Sequence, residues 1–162
     1  MKLSIVILED DAEVRAALER DLMTFAPTVR IEPAEDVLDA ESVIEEIQDD
    51  DDAFALILCD HRLPGTTGID FMIELAKREA TAETRKVLIT GQSDLQDTIR
   101  AVNDAHIDHF IAKPWNADDL LHVVRNELTE YVVAKNINPL RYLQVLNQVR
   151  ALDAFREFSE SD

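Results

Sequence analysis

Four short apolar runs each end in residues that can hold a metal ion or a phosphoryl group. LSIVIL (residues 3–8) is followed by Glu9, Asp10 and Asp11, and FALILC (54–59) by Asp60. KVLIT (86–90) ends in Thr90, with Gly91 next, and DHFIA (108–112) is followed by Lys113 and Pro114. Carboxylates gathered at one spot repel, and each then favours its protonated form. A hard divalent cation removes that conflict. Mg²⁺ prefers oxygen ligands, takes one or two carboxylates and keeps waters for a phosphoryl oxygen. A carboxylate beside such a metal can act as a nucleophile, while a lysine and a hydroxyl hold the remaining phosphoryl oxygens. On this logic Asp60 is a carboxylate that can be phosphorylated. Singly, the same residues have plainer roles: Asp11 as a helix N-cap, Lys113 as a surface charge, Thr90 as a strand residue. The five together, Glu9, Asp10, Asp60, Thr90 and Lys113, point to the chemistry.

The elements that must position these groups alternate along the chain. The continuous apolar runs suit strands buried on both faces. A weaker run, TVRIEPA (28–34), carries Pro33 and fits an edge strand. Helical spacing links Val14, Leu18 and Leu22; Val43, Ile44 and Ile47; Ile69 and Ile73; Ile99 and Val102; and Leu120, Leu121, Val124 and Leu128. The order βαβαβαβαβα predicts an α/β fold, a doubly wound five-stranded parallel sheet with helices on both faces. In such sheets ligands bind beyond the carboxyl ends of the strands, near a switch in strand order, which is where the acids, Thr90 and Lys113 would converge. Residues 1–130 fill the pattern once. In residues 131–162, Asn138 as N-cap and Pro139 at the first helical position predict one more amphipathic helix, with Tyr142, Val145, Val149 and Leu152 as its stripe and Leu146 and Phe155 widening it. That helix could pack on its own domain, extend the preceding helix or form a dimer.

Composition narrows the classes. The chain has 162 residues, 46% of them hydrophobic, and only three glycines, as expected of a globular domain. Its formal net charge of −18 leaves no visible basic face, which excludes nucleic acid and anionic membranes as expected partners. No apolar run approaches the roughly 20 residues that span a bilayer. The start MKLSIVILEDD turns acidic too soon for a signal peptide, so a cytoplasmic protein is expected. Cys59 is the only cysteine and is expected to be a buried, inert thiol. The run Asp49–Asp52 reads as a solvated loop. His61, His106, His109 and His122 show no metal-ligand spacing.

The motifs ILEDD, CDHRLPGTTG, LITG and IAKPW, in that order, resemble the receiver domain of two-component response regulators over residues 1–130. The resemblance implies a flavodoxin-like (βα)5 fold and a phosphorylation-dependent switch rather than an enzyme in the ordinary sense, with phosphoryl transfer and autodephosphorylation self-catalysed. Asp60 would accept the phosphoryl group from a histidine kinase or a phosphorelay histidine. Mg²⁺ would be held by Glu9, Asp10, Asp60 and the main-chain carbonyl of Arg62. Lys113 would contact the phosphoryl group, with Pro114 after a cis peptide bond. Thr90 and Phe110 would form the switch pair, moving together on phosphorylation. Output would pass through the surface of the fourth helix (Ile99, Val102), the fifth strand and the fifth helix, to a downstream protein or to a second copy in a homodimer.

Some positions depart from the family's commonest residues. The acidic pair begins with glutamate, Gly91 gives the loop after Thr90 more freedom, and Phe110 lacks a tyrosine hydroxyl. The stretch VNDAHIDHFIAKPWNADDL resembles receivers with a KPW lysine motif, many of which precede enzymes that make or degrade cyclic dinucleotides; this chain contains no such enzyme. Among rivals, a haloacid-dehalogenase-type phosphatase needs a second aspartate two residues after the first, where this chain has Arg62. A P-loop needs a lysine that PGTTGID lacks. A pseudo-receiver or dimerising adaptor acting without phosphorylation is the remaining alternative, and the complete set of five residues argues against it.

Overall fold

The computed structural model describes residues 1–91 and 106–160. Five parallel strands form the central sheet: β1 (Leu3–Leu8), β2 (Val29–Ala34), β3 (Ala53–Asp60), β6 (Arg85–Gly91) and β7 (His109–Lys113), in the order β2-β1-β3-β6-β7. Two-residue strands β4 (Arg62–Leu63) and β5 (Thr66–Thr67) make a small antiparallel ribbon after β3. The helices are α1 (Ala12–Leu22), α2 (Val37–Asp49), α3 (Gly68–Lys77), α4 (Ala117–Ala134) and α5 (Gln148–Glu160). The expected helix carrying Ile99 and Val102 lies outside the described residues.

The two faces of the sheet collect separate cores. Leu3, Ile5 and Ile7 point to one side with Leu18 and Leu22 of α1 and Leu120, Val124 and Leu128 of α4. Val6 and Leu8 point to the other, with Ala40, Ile44 and Ile47 of α2 and Ile69, Met72 and Leu75 of α3. Each fully buried Leu or Ile contributes about 1.5–3 kcal/mol of transfer free energy, so strands apolar on both faces are the sequence's strongest commitment. A bulge in β3 shifts its register against β1 between Ser4 and Ile5, which puts Ala55 and Leu56 on the same face. Pro33 sits in β2 at the sheet edge, as its missing amide requires. Caps fix the helix starts: Asp11 accepts from the Glu13 and Val14 amides, Thr67 from Asp70, and Asn116 from Asp119.

The C-terminal segment differs from the single helix expected. Asn138 does cap a turn with Pro139 first, but that turn is one 3-10 turn (Pro139–Arg141), followed by a second (Leu143–Val145) and an extended Leu146. The helix α5 starts only at Gln148, where the Asn147 side chain accepts from the Arg150 amide. The core below the sheet causes the break. Tyr142, Val145 and Leu146 are all drawn into the first core. Arg125, stacked 5.5 Å from the Phe25 ring, donates to the Gln144 and Leu146 carbonyls. The Thr129 hydroxyl accepts from the Asn147 amide, and Tyr142 Oη donates to the Met1 carbonyl. The expected stripe is therefore split. Val149 is 72% exposed and Leu152 37%, and in α5 Ala151 is the buried residue.

The acidic run is only partly a free loop. Asp49 to Asp51 are exposed, but Asp50 and Asp52 both bind Arg30, and Asp52 also accepts from the Lys2 amide. No helix among the described residues is long and apolar enough to cross a membrane.

Candidate functional site

The strand order places β1 beside β3, with β2 on the opposite side of β1, so the crevice at the β1 and β3 carboxyl ends lies where the winding reverses. Leu8 is in register with Cys59, which sets Glu9 next to Asp60. On the far side of β3, Thr90 pairs with Ala112 and Gly91 with Lys113. These pairings bring four of the expected residues into contact. Carboxylate oxygens of Glu9, Asp10 and Asp60 lie within 4.8 Å of one another. Lys113 Nζ stands 2.5 Å from Glu9 Oε1 and 3.0 Å from Asp60 Oδ1. The Lys113–Pro114 bond is cis, as expected.

Burial makes this cluster electrostatically tense. Glu9 has no exposed surface and Asp60 is 7% exposed, whereas Asp10 is exposed. Burial pushes the Glu9 carboxyl up to about 7; the hydrogen bond from Lys113 pulls against this and the charge of Asp60 adds to it. Burial pulls the Lys113 ammonium down, but hydrogen bonds to Glu9 and Asp60 outweigh it, and its pKa ends above the usual lysine value. Among the described residues, Glu9 Oε2 is buried with no hydrogen-bond partner. An orphaned carboxylate oxygen beside two more carboxylates is the donor set a hard, oxygen-seeking divalent cation fits. The Cys59 thiol is raised, by burial first and then by Asp60 and Glu9, and stays protonated as the inert thiol expected.

The other expected residues are placed at the margin. Thr90 is a buried strand residue, and among the described residues no hydrogen bond joins it to Asp60 or Lys113. Phe110 is half-buried against the second core and lines a cleft with Pro114, Trp115, Asn116, Asp119 and Val123. Arg62 lies in β4, paired with Thr67.

Several supporting contacts were not singled out from the sequence. Gly68 opens α3 directly against Asp60. A Cβ there would stand 2.1 Å from the Asp60 carbonyl oxygen, and the Gly68 amide donates to the His61 carbonyl at 2.7 Å. Trp115 Nε1 donates to Asp21, tying the loop after Lys113 to α1. Arg15 donates from α1 to the Glu9 carbonyl at 2.8 Å. The glycine was visible within CDHRLPGTTG, but its reason is a backbone contact that no residue type announces.

A parallel sheet in this order, with an acidic cluster and a lysine at its carboxyl edge, is the arrangement that the motifs' resemblance to receiver domains implied. The response regulator receiver domain family matches residues 5–125, and the chain belongs to that family, whose members are signalling phosphoacceptors of two-component systems. The chain is 32% identical over 130 residues to the hydrogenase transcriptional regulatory protein HoxA of Cupriavidus necator, covering 75% of this chain and 23% of HoxA. It is 30% identical over 118 residues to the cyclic di-GMP phosphodiesterase response regulator RpfG of Xanthomonas campestris, covering 73% of this chain and 30% of RpfG. The chain thus spans only a fraction of the length of these relatives. A CheY-like receiver domain from Methanospirillum hungatei superimposes with a TM-score of 0.67 at 24% identity, covering 81% of this chain and 97% of the other; at that identity the likeness concerns the fold.

Proposed function

We propose that Asp60 accepts a phosphoryl group from a histidine kinase or a phosphotransfer protein and that the chain relays the signal by changing its protein contacts. The observation that carries this is Lys113 Nζ bridging Glu9 and Asp60 beside the orphaned Glu9 Oε2. Glu9, Asp10 and Asp60 would hold Mg²⁺, and the Arg62 main-chain carbonyl would be a further ligand. When bound, the ion would supply charge to neutralise the carboxylates and the incoming phosphoryl oxygens. An Asp60 oxygen forms the new bond to phosphorus as the bond from phosphorus to the donor imidazole nitrogen breaks, and the leaving electron pair stays on that nitrogen. Lys113 exchanges its carboxylate partners for a phosphoryl oxygen, and Thr90 supplies a hydroxyl to another. Phe110 follows Thr90, biasing the surface around the cleft beside β7 between two states.

The setting is cytoplasmic on this reading, with residues 1–130 as the receiver and 131–162 as an extension sharing its core. RpfG offers the precedent for an output in cyclic-dinucleotide signalling, exerted through a separate effector protein or a second copy of this chain. The test is incubation with a small acyl phosphate and Mg²⁺, followed by intact mass and peptide mapping. One phosphoryl group on Asp60, absent from Asp60→Asn and absent without Mg²⁺, is the expected result. An unmodified Asp60 would favour a receiver that works without phosphorylation.

A further inference from the structure

Arg15 is the fourth residue of α1, and its guanidinium turns back to the loop that carries the acidic pair. Its Nη1 donates to the Glu9 carbonyl at 2.8 Å and reaches the Asp10 carbonyl at 3.5 Å. The choice of partner is informative. A helix arginine normally pairs with acids four residues away, and here Asp11 and Glu19 occupy both such positions. Among the described residues, Arg15 forms no ion pair with either. In a chain with 34 acidic and 16 basic side chains, this cation binds the backbone of the two residues whose carboxylates enter the site.

We propose that Arg15 is the positioning residue for the metal-binding acids, holding the Glu9–Asp10 backbone so that both carboxylates face Asp60. The inference rests on the reading of Glu9 and Asp10 as metal ligands. The Glu9 amide is held from the other side by the Ala34 carbonyl, so Arg15 completes a clamp on that residue's peptide groups. Asp11 has its own carboxylate occupied with the Glu13 and Val14 amides, which fixes the end of the loop but not its middle. Burial, Lys113 and Asp60 set the protonation of Glu9; Arg15 acts on where the carboxylate stands. Partners that orient ligands in this way typically change metal affinity without touching the metal.

The full chain, isotope-labelled, would be titrated with Mg²⁺ and followed through the amide signals of Glu9, Asp10 and Asp60, as native protein, Arg15→Lys and Arg15→Met. Unfolding midpoints would be measured in parallel in metal-free buffer. Arg15→Met is expected to weaken Mg²⁺ binding about tenfold, and Arg15→Lys, which keeps the charge and can reach one carbonyl, to recover part of that loss at an unchanged midpoint. Native affinity in both variants would overturn the proposal. So would tighter binding by Arg15→Met, which would make Arg15 merely a repelling charge. If Arg15→Met does not fold, Arg15→Lys decides, by weakened or native affinity. Absence of Mg²⁺ binding by the native chain would overturn the metal reading itself and this inference with it.

Discussion

Lys113 and Glu9 are 104 residues apart in sequence, yet Lys113 Nζ lies 2.5 Å from Glu9 Oε1, and the same ammonium reaches Asp60. One cation therefore holds together the ends of β1, β3 and β7. It is shared between two carboxylates and, among the described residues, leaves one Glu9 oxygen without a partner, so the pairing by itself is weak evidence of stabilisation.

The pH dependence follows from Glu9, whose carboxyl is raised to about 7 from an ordinary value of 4.5. Between those values the folded chain holds a proton that the unfolded chain has lost, so stability is fully present below about 4.5 and falls as pH rises through about 7. The loss is at most about 3 kcal/mol. Urea unfolding in chelator at pH 5 and pH 8 should show this loss for the native chain and a much smaller one for Glu9→Gln. Mg²⁺ at pH 8 should restore stability to the native chain by binding the ionised cluster.

Gly68 and Gly65 make a matched pair. Gly68→Ala places a methyl 2.1 Å from the Asp60 carbonyl oxygen and should cost about 1–3 kcal/mol of stability or more while lowering the rate of Asp60 phosphorylation. Gly65 has φ +76° and open space around it, so Gly65→Ala should cost only about 1–2 kcal/mol of backbone strain and leave the rate near native. Chemical denaturation with a time course of acyl phosphate labelling reads both.

Trp115 is the only tryptophan in the chain and lies two residues past Lys113, bonded to Asp21. Its emission should change when Mg²⁺ and beryllofluoride are added to native protein and should stay constant in Asp60→Asn. Asp21→Ala should remove about 1 kcal/mol and shift the resting emission, as a fluorescence-monitored melt would show.

The C-terminal segment should divide energetically at Asn147. Leu146→Ala, from a residue 2% exposed in the first core, should cost about 2–5 kcal/mol. Val149→Ser, three residues on and 72% exposed, should change stability by less than about 0.5 kcal/mol. Equal effects in urea titrations would contradict the broken helix.

Much of this was readable from the residues. Asp60 and Lys113 each follow an apolar run, and parallel strands joined by helices put the ends of such runs on one edge, so their convergence needed only strand order. The bulge at Ala55 was not readable, because FALILC is apolar throughout and carries no alternation to set its phase. The break at Leu146 was hidden for a related reason. Tyr142, Val145 and Val149 fit a helical period, but Arg125 and Thr129, donated by α4, claim the backbone where the helix would have continued. Arg15 looks like any helix surface cation, since its partner is a carbonyl and every residue has one.

The contact between Gly68 and Asp60 also gives the site a direction. With a Cβ's width already missing at their approach, β3 and α3 have no slack between them, and the Asp60 main chain cannot yield toward the helix without carrying all ten residues of α3 along. On the other flank stands the strand pair β6 and β7, whose last rung is Gly91 opposite Lys113, with Thr90 one rung earlier opposite Ala112. The close approach therefore walls Asp60 in on the α3 side, and a disturbance at the carboxylate meets its stiffest resistance there.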